Sequence, residues 1–362
     1  MSKKIPSALL LNDIHVSKDN IPEFQKNWDE ALYICDQYGI EDMIIGGDLW
    51  LSRSSQTLST LMAVRQAIIK ATKAGISITV AEGNHCKVDQ ESVLGYSHLF
   101  SEYPHVYVVD DYSIINISND VELYIMSYFP ENGSFVERLK KMVKAELNAS
   151  VHNILYIHEG INGALSTPNE KELPTNIFSD FDTVLVGHYH NRCIIKGTNI
   201  EYIGSSRQHN FGEDEEKGYT IIYDDGSHEF IKNQVNIRYK VLDIKASQIN
   251  SKLIDKLDDM KADGRYKIKT RISCTSQEAP NIDKQKLLEA GSSKVEIVTE
   301  DVEITETTAH SLDKKFDKSG IKQEYTSFCA NKGIINIEMG LQYLDKICLL
   351  YTSPSPRDGA TS

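Results

Sequence analysis

Nothing in the chain approaches the roughly 20 consecutive apolar residues that a membrane-spanning helix needs. The opening Met-Ser-Lys-Lys-Ile-Pro leads into an apolar stretch at 8–11 that Asn12 and Asp13 cut short, far from a secretory leader, so a cytoplasmic protein is expected. The six cysteines, at 35, 86, 193, 274, 329 and 348, show no C-x-x-C spacing, and therefore indicate neither a disulfide framework nor a zinc ribbon. Basic charge is short as well: 39 Lys and Arg face 52 Asp and Glu, for a net charge of −13. That balance counts against nucleic-acid binding by bulk electrostatics alone, because phosphate contacts need local Lys and Arg. It leaves room for a nucleic-acid enzyme whose bound cations and partner subunit bring the positive charge. There is no internal repeat, and the one biased run, Glu213-Asp-Glu-Glu216, is expected to be solvated.

What is present is an ordinary globular composition, 40% hydrophobic and 25% charged over 362 residues, a length that suggests two domains. Five short apolar runs rich in Ile, Val and Leu each stop at a residue able to bind a metal. Leu9-Leu-Leu-Asn-Asp-Ile-His15 delivers Asp13 and His15, Met43-Ile-Ile-Gly-Gly-Asp48 delivers Asp48, and Ile78-Thr-Val-Ala-Glu-Gly-Asn-His85 delivers Asn84 and His85. Further on, Ile154-Leu-Tyr-Ile-His158 delivers His158, and Val184-Leu-Val-Gly-His-Tyr-His190 delivers His188 and His190.

Between the first runs the pattern is helical. Residues 20–38 place Trp28, Leu32 and Cys35 on one face, with Asn20 and Glu23 as a capping-box pair, Pro22 in the first turn and Gly39 as the stop. A second helix is expected over 55–73. Strands alternating with helices across short joints predict an α/β layered sheet, whose functional groups gather beyond the carboxyl ends of the strands. From 105 to 126 the pieces shorten and alternate, as expected of a hinge between two halves of a sandwich. Beyond about 234 a βαβαβ pattern without ligand-like histidines predicts a small α+β accessory domain.

An Asp-x-His or His-x-His pair at a strand end carries more information than either residue alone, because alternate residues of an extended segment point the same way. A bridging carboxylate, several imidazoles and further oxygen ligands are what two divalent cations about 3.5–4 Å apart require to hold the attacking water and leaving oxygen of a phosphoester displacement.

As a set, Asp13-Ile-His15, Gly47-Asp48, Gly83-Asn84-His85, His158 and Gly187-His188-Tyr-His190 resemble the motif series of the calcineurin-like metallophosphoesterases over residues 8–225. More narrowly, Tyr202-Ile-Gly-Ser-Ser206, Phe211-Gly-Glu213 and Lys217-Gly-Tyr219 resemble the nuclease subunit of SbcCD-type repair complexes and phage recombination endonucleases. The resemblance implies a metallophosphoesterase β-sandwich flanked by helices over 1–234, with a DNA-capping accessory domain over 235–310 and a partner-docking helical segment over 311–347. It implies one divalent cation held by Asp13, His15, Asp48 and His190, and another by Asp48, Asn84, His158 and His188, manganese being the family's preference in its nucleases. His85 then stands beside the phosphate, stabilising charge or protonating the leaving oxygen. The implied partners are DNA, a coiled-coil ATPase subunit and a second copy of the chain, and the implied function is a DNA exo- or endonuclease of a double-strand-break repair or recombination complex. The alternatives are a phosphoesterase of small nucleotides or phosphoproteins, and a non-catalytic scaffold for DNA or the ATPase.

Two departures stand out: Leu51 and Cys86 occupy positions where the family often has carboxylates, which puts the orientation and acid role of His85 in question. Arg207 and His209 are candidate contacts to a phosphate backbone. Residues 348–362, beginning Cys348-Leu-Leu-Tyr-Thr-Ser, read as a translated sequencing adapter rather than as native sequence.

Overall fold

The computed structural model describes residues 4–165 and 171–299, with a few more between Tyr325 and Leu341. The 311–347 segment, apart from those few, and the 348–362 tail lie outside the described residues. In chain order the first half runs β1 (Pro6–Leu11), α1 (Ile21–Tyr38), β2 (Asp42–Gly46), α2 (Leu58–Lys73), β3 (Ser77–Ala81) and β4 (Val106–Val109). It continues with β5 (Tyr112–Ser118), β6 (Val121–Met126), α3 (Phe135–Glu146), β7 (His152–Ile157) and β8 (Thr183–Val186). Then follow β9 (Cys193–Ile194), β10 (Ile200–Tyr202), β11 (Gly218–Tyr223), β12 (His228–Lys232), β13 (Arg238–Lys245), α4 (Ser251–Asp263), β14 (Tyr266–Cys274), α5 (Lys284–Glu289) and β15 (Ser292–Thr299).

Two six-stranded sheets result, ordered β12-β11-β1-β2-β3-β4 and β5-β6-β7-β8-β10-β9. The chain passes from the first to the second between Val109 and Tyr112, inside the stretch whose pattern shortens. Strand periodicity divides the side chains between layers. Leu9, Leu11, Met43, Ile45, Ile78 and Val80 face outward into the core beneath α1 and α2. Ala8, Leu10, Ile44 and Ala81 face inward, against Leu123, Ile125, Ile154, Tyr156 and Leu185 of the second sheet. α3 covers the outer face of that sheet through Phe135, Leu139 and Met142. Each central strand is buried on both faces, hence the near-continuous apolar runs.

The joints follow local chemistry. Gly39 closes α1 in the left-handed conformation, φ 67°, and donates to Asp36 O and Cys35 O. Thr57 caps α2, its side chain accepting from Thr60 N. Asn20 departs from the capping expectation and makes no side-chain cap. Its Oδ1 accepts from Ser17 N at 2.9 Å and its Nδ2 donates to His15 O at 2.8 Å, so it fastens the loop after β1 instead. Glu23 is likewise diverted, its carboxylate accepting from Ile237 N at 2.9 Å and Asn236 Nδ2 at 3.1 Å.

The third sheet, β13-β14-β15, packs with α4 and α5 around Leu257, Ile268, Ile272 and Leu287. β13 pairs parallel with β14, as the βαβ pattern requires. The described residues form two compact units, Met1–Ser273 with Asn281–Val298, and Cys274–Pro280 with Thr299 onward. Among them no helix is long and apolar enough to cross a membrane.

Candidate metal centre

β1, β2 and β3 of the first sheet and β7 and β8 of the second all release their chains at one rim, and every predicted site residue lies within four residues of such an end. Asp13, His15, Asp48, Asn84 and His158 are buried, whereas His85, His188 and His190 are half-buried and border open space. Asp48 lies between two groups of side chains. Its Oδ2 is 3.3 Å from His158 Nε2 and 3.7 Å from His15 Nε2. On one side His15 Nε2 and His190 Nε2 are 3.1 Å apart, with Asp13 Oδ1 3.9 and 3.8 Å from them. On the other, His188 Nδ1 faces Asn84 Oδ1 at 3.3 Å.

The backbone around these residues is strained. Asp13, His15, Asp48 and His188 adopt positive φ, at 50°, 51°, 46° and 86°. A residue other than glycine costs of order 1–3 kcal/mol there and persists only where its surroundings over-determine it. They do so here. Asp13 N donates to Gly47 O at 3.1 Å, His15 N to Asp48 O at 2.9 Å, and His188 N to Asp13 Oδ2 at 3.1 Å. Arg207 is buried, and its guanidinium donates to Ile14 O and His15 O at 3.0 to 3.3 Å. It therefore clamps the β1 loop while also bordering the cavity on the open side of the cluster. His209 Nε2 rests on Asp13 O at 2.8 Å, and its ring lies 5.1 Å from that of His15. Glycine is required at 47 and 83: Gly47 has φ 105°, and a Cβ at Gly83 would meet Asp48 Oδ1 and the Asp48 backbone nitrogen.

Electrostatics follow from this crowding. Burial works to raise the Asp48 carboxyl, but His158, His15 and His85 outweigh it and hold the group below its ordinary range. Burial works to lower His158, but Asp48 and Asp13 carry it up to about 9. His15 and His188 are pushed down to about 4, in both cases chiefly by burial.

Hydrogen bonds within the protein leave the cluster incomplete. Asp13 Oδ1 and His158 Nε2 are buried without a hydrogen-bond partner, the 3.3 Å approach to Asp48 being too poorly aligned for one. Asn84 directs its amide oxygen at Asp48 Oδ2, 3.1 Å away, and its amide nitrogen at the Arg53 guanidinium. Protein partners alone favour the opposite amide orientation, whereas a cation between the two oxygens favours this one. Carboxylate and amide oxygens converging with imidazole nitrogens are a donor set that suits a divalent cation. Asp13, Asp48 and His158 form one compact group able to hold such an ion, and His15, Asp48 and His85 another.

His85 is placed by its surroundings rather than by a carboxylate. Its backbone N–H donates to Asp48 Oδ1 at 2.8 Å, and its ring Nδ1 pairs with Leu51 O at 2.7 Å. The main chain at Leu51 thus takes over orientation where the side chain offers no acid. Cys86 is buried in the core beneath α1 and α2 and takes no part in the cluster.

Residue patterns missed one member. Glu213, read as part of a solvated acidic run, turns inward, and its Oε1 accepts from His190 Nδ1 at 2.8 Å. The open side of the cluster forms a cavity of about 560 Å³, bordered by His85, His190 and His209 and also by Tyr239 and Lys267 of the third sheet. Gln208 ties that wall to the site, donating to Tyr239 O at 2.9 Å and accepting from Tyr239 N at 2.8 Å.

No family model matches the chain. The SbcCD nuclease subunit of Staphylococcus saprophyticus is 26% identical over 229 residues, 54% of this chain and 60% of that protein, so the match spans well under two thirds of the relative. Among solved structures, the Pseudomonas putida nuclease MPE aligns with a TM-score of 0.27 and 16% identity, over 52% of this chain and 64% of that one. A dimetal phosphatase from Danio rerio aligns with a TM-score of 0.35 and 8% identity, over 54% and 85%. The ordered motifs at five strand ends, the paired sheets that bring them together and the similarity to the staphylococcal nuclease subunit support a resemblance to the calcineurin-like metallophosphoesterases.

Proposed function

We propose that the chain is a metal-dependent phosphodiesterase that cleaves DNA, working as the nuclease subunit of a repair or recombination complex with an ATPase partner. The observation that carries this reading is the position of Asp48, with Oδ2 within 3.7 Å of ring nitrogens from both His15 and His158, at the floor of a cavity whose far wall is Tyr239 and Lys267. In this reading Asp13, His15, Asp48 and His190 hold one divalent cation, and Asp48, Asn84, His158 and His188 the other. Such cations supply charge to the phosphoryl oxygens and lower the pKa of a water.

The protein's own groups do the positioning. Leu51 O and Asp48 Oδ1 fix the His85 ring and main chain, which leaves Nε2 to face a phosphate or leaving oxygen. The wall from the third sheet favours a polymer over a small ester. Lys267 Nζ lies 3.2 Å from Tyr239 Oη, and such a cation beside an aromatic ring suits a phosphate and a stacked base together. The kinship with a nuclease subunit supports DNA as that polymer and an ATPase as the partner.

The test is incubation of the protein with manganese and end-labelled DNA, beside a small chromogenic phosphodiester and a His85→Ala variant. Cleavage of DNA that the variant loses is the expected result. Turnover of the small ester alone moves the substrate to nucleotides, and inactivity on both with metal bound leaves a scaffold.

A further inference from the structure

The histidines of the cluster are not supported alike. His158 rests its Nδ1 on Gly46 O at 3.1 Å, and His15 rests its own on Trp50 O at 3.4 Å, in both cases a neutral carbonyl. His190 meets a carboxylate, Glu213, at 2.8 Å. That carboxylate is held from several sides: the Glu213 side chain is 7% exposed, Oε2 accepts from His209 N at 2.9 Å, and Oε1 accepts from Asn210 Nδ2 at 2.7 Å. The main chain of His190 is fixed too, because buried Lys217 donates from Nζ to His190 O and Asn191 Oδ1, both at 2.7 Å. Of the other acids of the run, Asp214 pairs with that same Lys217 at 2.9 Å, while Glu215 and Glu216 turn to Lys240 and Lys232.

A carboxylate on Nδ1–H fixes the tautomer, aims the Nε2 lone pair inward and makes the ring a better donor. Nε2 of His190 then faces His15 Nε2 and Asp13 Oδ1, at 3.1 and 3.8 Å. That half of the cluster contains two carboxylates, Asp13 and Asp48, together with the backed imidazole. The other half shares Asp48 and adds no further carboxylate, only Asn84, His158 and His188.

We infer that Glu213 is a positioning residue that makes the Asp13, His15, Asp48 and His190 half the tighter of two unequal cation sites, so that the two sites fill in order. The inference rests on the ligand reading under Proposed function. Calorimetric titration of the full chain with manganese, followed in parallel by the electron paramagnetic resonance of free manganese, tests it without reference to activity. Two separable binding events are expected. Glu213→Gln, which keeps an acceptor for His190 but loses the charge, should weaken the tighter event by about 10–100-fold and leave the weaker one in place. Glu213→Ala should weaken it at least as much, while Glu216→Gln, an equal charge change pointing outward, should move neither event. Equal weakening of both events by Glu213→Gln, no weakening, or the same effect from Glu216→Gln overturns the inference and leaves the ligand reading standing. Absence of binding by the wild type overturns both.

Discussion

His85 pairs its ring Nδ1 with the carbonyl oxygen of Leu51 at 2.7 Å, so a main-chain group orients the residue nearest the expected phosphate. In a neutral ring Nδ1–H donates to that carbonyl and Nε2 carries the lone pair; in a protonated ring both nitrogens donate, and the carbonyl serves either state. His85→Ala should lower kcat on DNA by roughly 10²–10⁴, the usual contribution of a positioned proton-transfer group, with manganese binding retained. Leu51→Ala keeps the carbonyl and should leave kcat little changed. A large loss in Leu51→Ala, or an unaffected His85→Ala, contradicts this assignment.

Gly83 lies where a side chain would press on Asp48. Gly83→Ala should destabilise the fold by about 1–3 kcal/mol, the typical cost of overpacking, and should weaken metal binding by displacing the central carboxylate. Urea unfolding with and without manganese measures both effects, and unchanged values for both would mean that the β3 loop yields freely.

The wall formed by Tyr239 and Lys267 predicts a separation by substrate. Tyr239→Ala and Lys267→Ala should raise KM for DNA while leaving turnover of a small diester near wild type. A single phosphate contact removed with Lys267 should also flatten the salt dependence of DNA binding. Equal losses on both substrates would place these residues in the fold of the site instead.

His98 gives the fold a pH dependence of its own. Hydrogen bonding to Glu82 raises its pKa from 6.5 to about 9 against the opposing effect of burial, with Asp110 adding to the rise. Glu82 is buried and also accepts from Ser97 N and Ser97 Oγ, and that hydroxyl accepts from Trp50 Nε1 at 3.1 Å. Because the folded pKa lies above the unfolded one, the stabilisation is complete below pH 6.5 and is lost as pH rises through about 9. The difference in urea midpoint between wild type and His98→Gln should therefore be widest below that window and narrow across it. A constant difference would show a ring that stays neutral and accepts the Gly95 N–H, 2.9 Å from its Nδ1.

The convergence of these side chains on one rim could be read from the residues, for a physical reason. Central strands buried on both faces write themselves as apolar runs, and a polar side chain placed at the end of such a run needs no long-range information to be found. Asp13, His15, Asp48, Asn84, His85, His158, His188 and His190 all carry that mark. Glu213 does not, because its contact with His190 spans 23 residues and depends on the turn that Lys217 secures. Arg207 hid its structural task for the complementary reason. An arginine after a Gly-Ser-Ser segment looks like an anion contact, and only the carbonyls of Ile14 and His15 reveal the clamp it forms. Asn20 has the composition of a cap, yet its side chain has a better use in the loop beside His15. β5 and β12 were also hidden, since both are half-exposed outer strands without a continuous apolar stripe.

Asp48, with Oδ2 near both His15 and His158, stands where a carboxylate would be shared by two cations. Calorimetric titration with manganese, of wild type and of Asp48→Asn, tests this sharing. Two cations per chain are expected for the wild type, with loss of tight binding at both sites in the variant. A single cation in the wild type, or two retained by Asp48→Asn, would contradict it.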